Sequence, residues 1–175
     1  PKSTKGSHFE PLNLIEVTIY EKPNRELQLV TDSELVNYYT ALRDNYALYI
    51  NCVYILELVD RMTNVHLPHE NLFKLMYAYF GSLRVSNQEL LTLAFEVKLL
   101  KLLGIFPNLN QCILCKELTG DPIGISFEQG GVICDKPDCA TAFYDHVKIT
   151  GADIEFLFKL IKDPFKEIEG YRLET

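Results

Sequence analysis

Apolar positions alternate over the first thirty residues of this chain and then recur every three or four, so the pattern changes from strand to helix early. From 12 to 21, Ile15, Val17 and Ile19 alternate with Glu16 and Thr18. Lys22-Pro23-Asn24 turns the chain, and Leu27 and Leu29 resume the alternation over 25 to 30. This spacing predicts a β-hairpin. Two strands alone are marginal in water, so the hairpin is expected either to lean on helices or to be the tail of a larger sheet. The chain begins at Pro1 without a methionine, which favours the second reading, with upstream strands cut away.

Thr31-x-x-Glu34 has the form of a capping box, and it predicts helix from there to about Met62, broken near Asp44-Asn45. The second of these helices places Ala47, Ile50, Val53, Tyr54 and Leu58 at helical spacing, with Leu48, Ile55 and Leu56 on other faces. A helix that apolar is expected at the centre of a bundle, with Cys52 as a small buried side chain. A third helix is predicted over 69 to 82, with Leu72, Leu75, Met76, Tyr79 and Phe80 as its stripe. A fourth spans 87 to 103, turning Leu90, Leu93, Ala94, Val97, Leu100 and Leu103 inward, with Gly104 as its cap and Pro107 preventing continuation. Another amphipathic helix begins at Thr150 and ends before Asp163-Pro164, with Ile154, Leu157, Phe158 and Ile161 on one face. The fold class is therefore mainly α: a helical bundle preceded by a β-hairpin.

Cysteines interrupt the helical pattern. Cys112-x2-Cys115 is followed, after eighteen intervening residues, by Cys134-x4-Cys139, the spacing of a closed four-thiolate zinc site. Gly120 and Pro122 bend the intervening segment, Phe127 is placed to cover the site, and Gly130-Gly131 make the turn that delivers Cys134. Two disulfides are the competing reading, but 175 residues can bury an ordinary core without such staples. Four thiolates fill a tetrahedral shell and leave no position for an activated water. The implied Zn2+ is structural.

Composition narrows the function. At 47% hydrophobic and 23% charged the chain is globular, and neither a membrane-spanning run nor a secretory segment is seen; reduced thiols suit the cytoplasm. The net charge of −7 disfavours strong nonspecific nucleic-acid binding. Residues 1 to 31 balance four basic against four acidic groups. Residues 105 to 149 set Lys116, Lys136 and Lys148 against six acids, a net of −3, the wrong sign for a phosphate-gripping module. Elsewhere, His66-x2-His69 reads as a pair of surface histidines, and Glu57, Asp60 and Arg61 as a salt-bridged helix face. Gly130-Gly131 lacks the helix start and the Lys-Ser/Thr of a phosphate loop. No nucleophile motif appears, so no enzyme is expected.

The apolar helix Cys-Val-Tyr-Ile-Leu-Glu-Leu-Val-Asp at 52 to 60 is followed by Asn71-Leu72-Phe73-Lys74-Leu75. Next comes Phe-Glu-Val-Lys-Leu-Leu-Lys-Leu-Leu-Gly-Ile-Phe-Pro at 95 to 107, running into Asn110-x-Cys112-x-x-Cys115 and Phe127-x-x-x-Gly131-Val132-x-Cys134. Taken in that order, essentially the whole chain resembles the bacterial RecO family of recombination mediators. The resemblance implies that residues 1–31 are the end of an N-terminal OB-fold, and that 32–175 form an α-helical domain with its zinc segment at about 108–146. It implies a non-enzymatic role in the nucleoid-associated cytoplasm: binding single- and double-stranded DNA, associating with RecR, contacting the C-terminal tail of single-stranded DNA-binding protein (SSB), helping to load RecA, and annealing strands. By the same resemblance Lys2, Lys5, Lys22 and Arg25 are the DNA contacts, mainly as part of an OB half that is mostly absent. Lys98 and Lys101, three apart beside the apolar stripe of the fourth helix, are the partner-binding cations for the acidic SSB tail. A zinc-stabilised adaptor that touches no nucleic acid is the alternative. The sequence departs from the family's commoner pattern in the wider Cys134-x4-Cys139 pair, and it ends early, at Thr175.

Overall fold

A computed structural model describes residues 6–23, 25, 27–63, 69–117, 122–141 and 146–171. The chain forms two compact units: Pro1–Pro68 with Leu83–Gln88, and His69–Ser82 with Glu89–Thr175.

In the first unit, β1 (Leu14–Tyr20) and β2 (Leu29–Asn37) pair antiparallel, with Val17 opposite Ser33 and Ile19 opposite Val30. The hairpin is longer than the sequence pattern predicts. Thr31 and Glu34 belong to β2, and the expected capping box is not formed. The run Leu29 to Val36 contains β-branched Val30, Thr31 and Val36, and pairing with β1 supplies backbone partners that an isolated first helical turn lacks. Ser33 is the one buried residue of β2, and Ile19, Tyr20, Leu29 and Val36 are each more than half exposed. Arg43, in the single turn α1 (Thr40–Arg43), ties the hairpin's ends together. Its guanidinium donates to Tyr38 O at 2.8 Å and Asn13 Oδ1 at 2.7 Å and stacks over the Tyr38 ring.

Helix α2 (Tyr46–Met62) starts where expected because the Asn45 side chain accepts the Leu48 N–H. Its buried stripe is Leu48, Cys52, Ile55 and Val59, while Ala47, Ile50 and Tyr54 are exposed. The predicted face is thus turned away from the core. Apolar residues surround this helix, so periodicity alone does not select the inward side. Cys52 is fully buried as expected, and burial pushes its thiol up to about 12, with Arg43 opposing.

The second unit begins with α3 (Glu70–Ser82) and continues through α4 (Gln88–Leu102), both close to their predicted bounds. Tyr79 organises its core. The ring lies 5.0 Å from Phe95 and 5.7 Å from Phe165, and the hydroxyl bonds Thr92 Oγ1 at 2.9 Å. Gly104, at φ +74°, ends α4 in the left-handed conformation, as its position predicts. After the cysteine segment, α6 (Gly151–Lys162) opens with a complete Thr150/Asp153 capping box and buries Ile154 and Leu160. A final turn, α7 (Phe165–Ile168), lies past the predicted stop at Pro164 and buries Phe165 and Ile168.

Between these helices, β3 (Pro122–Ser126) pairs antiparallel with β4 (Gly131–Cys134). Val147 bridges to Ile125 on one side and Asn108 to Gly131 on the other. Gly131 is required at that crossing, since a Cβ there would lie 2.5 Å from Ile113 Cγ2 and 2.8 Å from Asn108 O. Gly131→Ala is expected to destabilise by about 1–3 kcal/mol, as overpacking does. Gly81→Ala, in the last turn of α3 where a Cβ meets open space, should be neutral or stabilising by up to ~1 kcal/mol. Thermal unfolding of the two variants checks both, and equal melting temperatures would contradict the close approach.

Candidate metal centre

Strand β4 is buried along its whole length, and its residues join two cores. Val132 joins Leu109, Ile125 and Ile154, with Phe106, Ile149 and Leu157 packed around them. Ile133 faces the other way and joins Cys112, Cys134 and Cys139, with Ile113, Cys115 and Ile123 against them. The ribbon thus contributes residues both to helix packing and to the cysteine cluster, and strict alternation is broken at the Pro122–Gly124 irregularity and at Cys134, which joins the cluster of its neighbour Ile133.

Two tight turns aim the sulfurs. In the first, Lys116 N–H donates to Cys112 O at 3.0 Å and Cys112 N–H donates to Glu117 O at 3.0 Å, with Lys116 at φ +62°. In the second, Cys139 and Ala140 donate to Lys136 O at 2.9 and 2.8 Å, which starts the single turn α5 (Pro137–Ala140). Pro137 occupies the first helical position, where a missing N–H costs nothing. The wider x4 spacing of this pair accommodates that turn.

The sulfurs of Cys112, Cys115, Cys134 and Cys139 all lie within 4.8 Å of one another, and Cys115 and Cys134 are 3.7 Å apart. A tetrahedron with metal–sulfur bonds of about 2.3 Å separates its sulfurs by about 3.8 Å, so the donor set fits a soft divalent cation. All four cysteines are free thiols, and the disulfide alternative is not formed. Cys112, Cys134 and Cys139 are buried, and Cys115 is half-buried. Burial opposes ionisation of Cys112, yet backbone N–H groups of Cys115, Cys134 and Leu114 and the Cys134 thiol hold it down at about 6. Burial raises Cys134, and burial together with the neighbouring sulfurs pushes Cys139 up to about 12. The cluster therefore shares its protons unevenly, and a bound cation would drive out the remainder.

The other sequence-derived candidates lie apart from this cluster. Phe127 is 70% exposed and does not cover the cysteines. It borders an apolar groove of about 510 Å³ that also takes in Val97 and Leu100 of α4, Ile105, Val147 and Leu157. Gly120 and His66 lie outside the described residues, as do Lys2 and Lys5. Lys22 and Arg25 border a concavity of about 270 Å³ with Tyr20 and Gln28. There the Gln28 side chain pins the turn: its Oε1 accepts Lys22 N–H at 2.8 Å and its Nε2 donates to Arg25 O at 2.8 Å. Lys22 Nζ stands 5.5 Å from the Tyr20 ring centre. Glu57 and Arg61 form the expected i,i+4 ion pair at 2.6 Å. His69 departs from the surface reading, because its Nε2 is buried without a hydrogen-bond partner among the described residues.

Lys98 and Lys101 do not play equivalent parts. Lys98 Nζ donates to Ile161 O at 2.8 Å and Asp163 O at 2.7 Å, capping the C-terminal end of α6, and sits 5.7 Å from the Phe165 ring centre. Desolvation lowers its pKa, with Asp163 opposing. Lys101 is exposed. Sequence spacing missed this division because the acceptors belong to a helix end more than sixty residues away.

Comparison with known proteins identifies the family. The family described as Recombination protein O C terminal matches residues 43–173. The DNA repair protein RecO of Desulforamulus reducens is 29% identical over 163 residues, which cover 93% of this chain and 62% of that relative. The protein of the same name from Pelotomaculum thermopropionicum is 29% identical over 168 residues, covering 96% and 64%. That of Anaeromyxobacter dehalogenans is 29% identical over 131 residues, covering 74% and 52%. The chain thus spans less than two thirds of the length of these relatives. The family match runs without interruption from α2 through the cysteine cluster to α7, and the chain therefore belongs to the recombination protein O family, whose C-terminal region it contains.

Proposed function

We propose that this chain is the helical, zinc-stabilised part of a non-enzymatic recombination mediator in DNA repair, acting with RecR to exchange SSB for RecA on single-stranded DNA and to anneal strands. The convergence of four cysteine sulfurs inside a segment matched to the recombination protein O family is the observation that carries it. Zinc is the cation assigned to them, as a fold-holding crosslink. Residues 1–31 are read as the end of an OB-fold, and the exposed apolar side chains of the hairpin, Ile19, Tyr20 and Leu29 among them, support that reading as surface for further strands to cover. Zinc bound to purified protein should be one per chain. Cys115→Ser should reduce it to near zero and lower the melting temperature, and stoichiometric zinc in that variant would refute the ligand set.

DNA contact is assigned to the hairpin turn, with Lys2 and Lys5 preceding it. The support is the pinned loop that displays Lys22, Arg25 and Tyr20 around one concavity, since cations and an aromatic ring are what a single strand requires. With a net charge of −7, binding by this chain should be weak and salt-sensitive. Reversing both Lys22 and Arg25 to Glu should lower the log–log salt slope of oligonucleotide binding by about 2. An unchanged slope in fluorescence anisotropy would remove these residues from the interface. The acidic cysteine segment, three lysines against six acids over 105–149, favours a second reading in which this half serves only as a protein adaptor.

The SSB tail, the partner the resemblance implies, is assigned to the surface of α4, where sequence spacing sets Lys98 and Lys101. Lys98 is committed to its cap, so the exposed cation for the tail carboxylates is Lys101, beside an apolar groove built partly from the same helix. A tail peptide should bind at micromolar strength, and Lys101→Ala should weaken it by roughly three- to fivefold, as an exposed charge pair allows. Equal affinity in calorimetric titrations of variant and parent would move the tail to another face.

A further inference from the structure

Of the four cysteines, Cys115 is the one that is half-buried, and an ion pair forms a latch between the two cysteine turns. Glu117 belongs to the first turn, where its carbonyl receives the Cys112 N–H. Lys136 belongs to the second. Its own N–H donates to the Cys134 sulfur, and its carbonyl receives the N–H groups of Cys139 and Ala140. Both backbones are therefore fixed by contacts to the ligand residues themselves. Across the gap the Lys136 ammonium pairs with the Glu117 carboxylate, and it lies within electrostatic reach of the Cys115 and Cys134 sulfurs.

Four thiolates around a divalent cation leave a net charge of −2, in a segment that already carries excess acid. We infer that Lys136, held in place by Glu117, is the outer-sphere cation of the cysteine centre, offsetting that charge beside the half-buried Cys115 and closing the two turns on the metal. Groups that orient and tune metal ligands commonly act from just outside the coordination shell. The pair is about half exposed, at 48% for Lys136 and 64% for Glu117, so its effect belongs at the low end of such contributions.

This inference rests on the zinc reading, and zinc per chain is measured first. Release of zinc to an excess of a neutral chelator and of an anionic one is then timed for the parent, Lys136→Met, Lys136→Arg and Glu117→Gln. Lys136→Met should release zinc about three- to tenfold faster to the neutral chelator, with a smaller gain toward the anionic chelator, which loses an attractive charge. Lys136→Arg should behave as the parent, and Glu117→Gln should fall between. A packing defect would accelerate both chelators equally, and that result overturns the inference, as does parental release from a zinc-loaded Lys136→Met. Parent protein without zinc would overturn the zinc reading and this inference together.

Discussion

The second unit depends on the convergence of four sulfurs from two turns separated by eighteen residues. Between those turns runs a two-stranded ribbon, too small to hold itself in water. Its inner face packs on Leu109 and Ile154, and its outer face has only Ile123, Ile133, Ile113 and the cysteines. Without a crosslink that outer layer would be four thiols and three aliphatic side chains. A soft cation at the centre would convert these sulfurs into a rigid tetrahedral node. The ribbon then becomes a wall against which α6 can pack.

Seen from that node, the functional features divide by location. The node is acidic and half-enclosed, a poor surface for phosphate. The hairpin turn is the opposite, with Lys22 and Arg25 displayed by a Gln28 clamp beside an exposed tyrosine. On α4, one lysine completes the fold and the next is left to solvent.

The legible parts of this chain were those governed by local chemistry. Cysteine spacing picked out the four residues whose sulfurs converge, Thr150 and Gly104 marked helix ends, and Cys52 was correctly placed in the core. What was missed depended on distant partners. Thr31-x-x-Glu34 satisfies a helix-start pattern, yet β1 pairs with Asp32, Ser33 and Glu34 and again with Val30 across an irregularity at Thr31, and the segment is strand. Helix α2 is apolar on several faces, and only packing determines that Leu48, Cys52, Ile55 and Val59 turn inward. Lys98 resembled a surface cation until the end of α6 arrived with two carbonyls in need of a donor. The Glu117–Lys136 latch joins residues nineteen apart and leaves no periodic trace.

Zinc K-edge X-ray absorption on the purified protein addresses the central claim most directly, because it reports the atoms around the metal independently of stability or binding. Four sulfur scatterers at about 2.3 Å, with no lighter atom in the shell, are the result this account predicts. A shell containing nitrogen or oxygen, or fewer than four sulfurs, would contradict it.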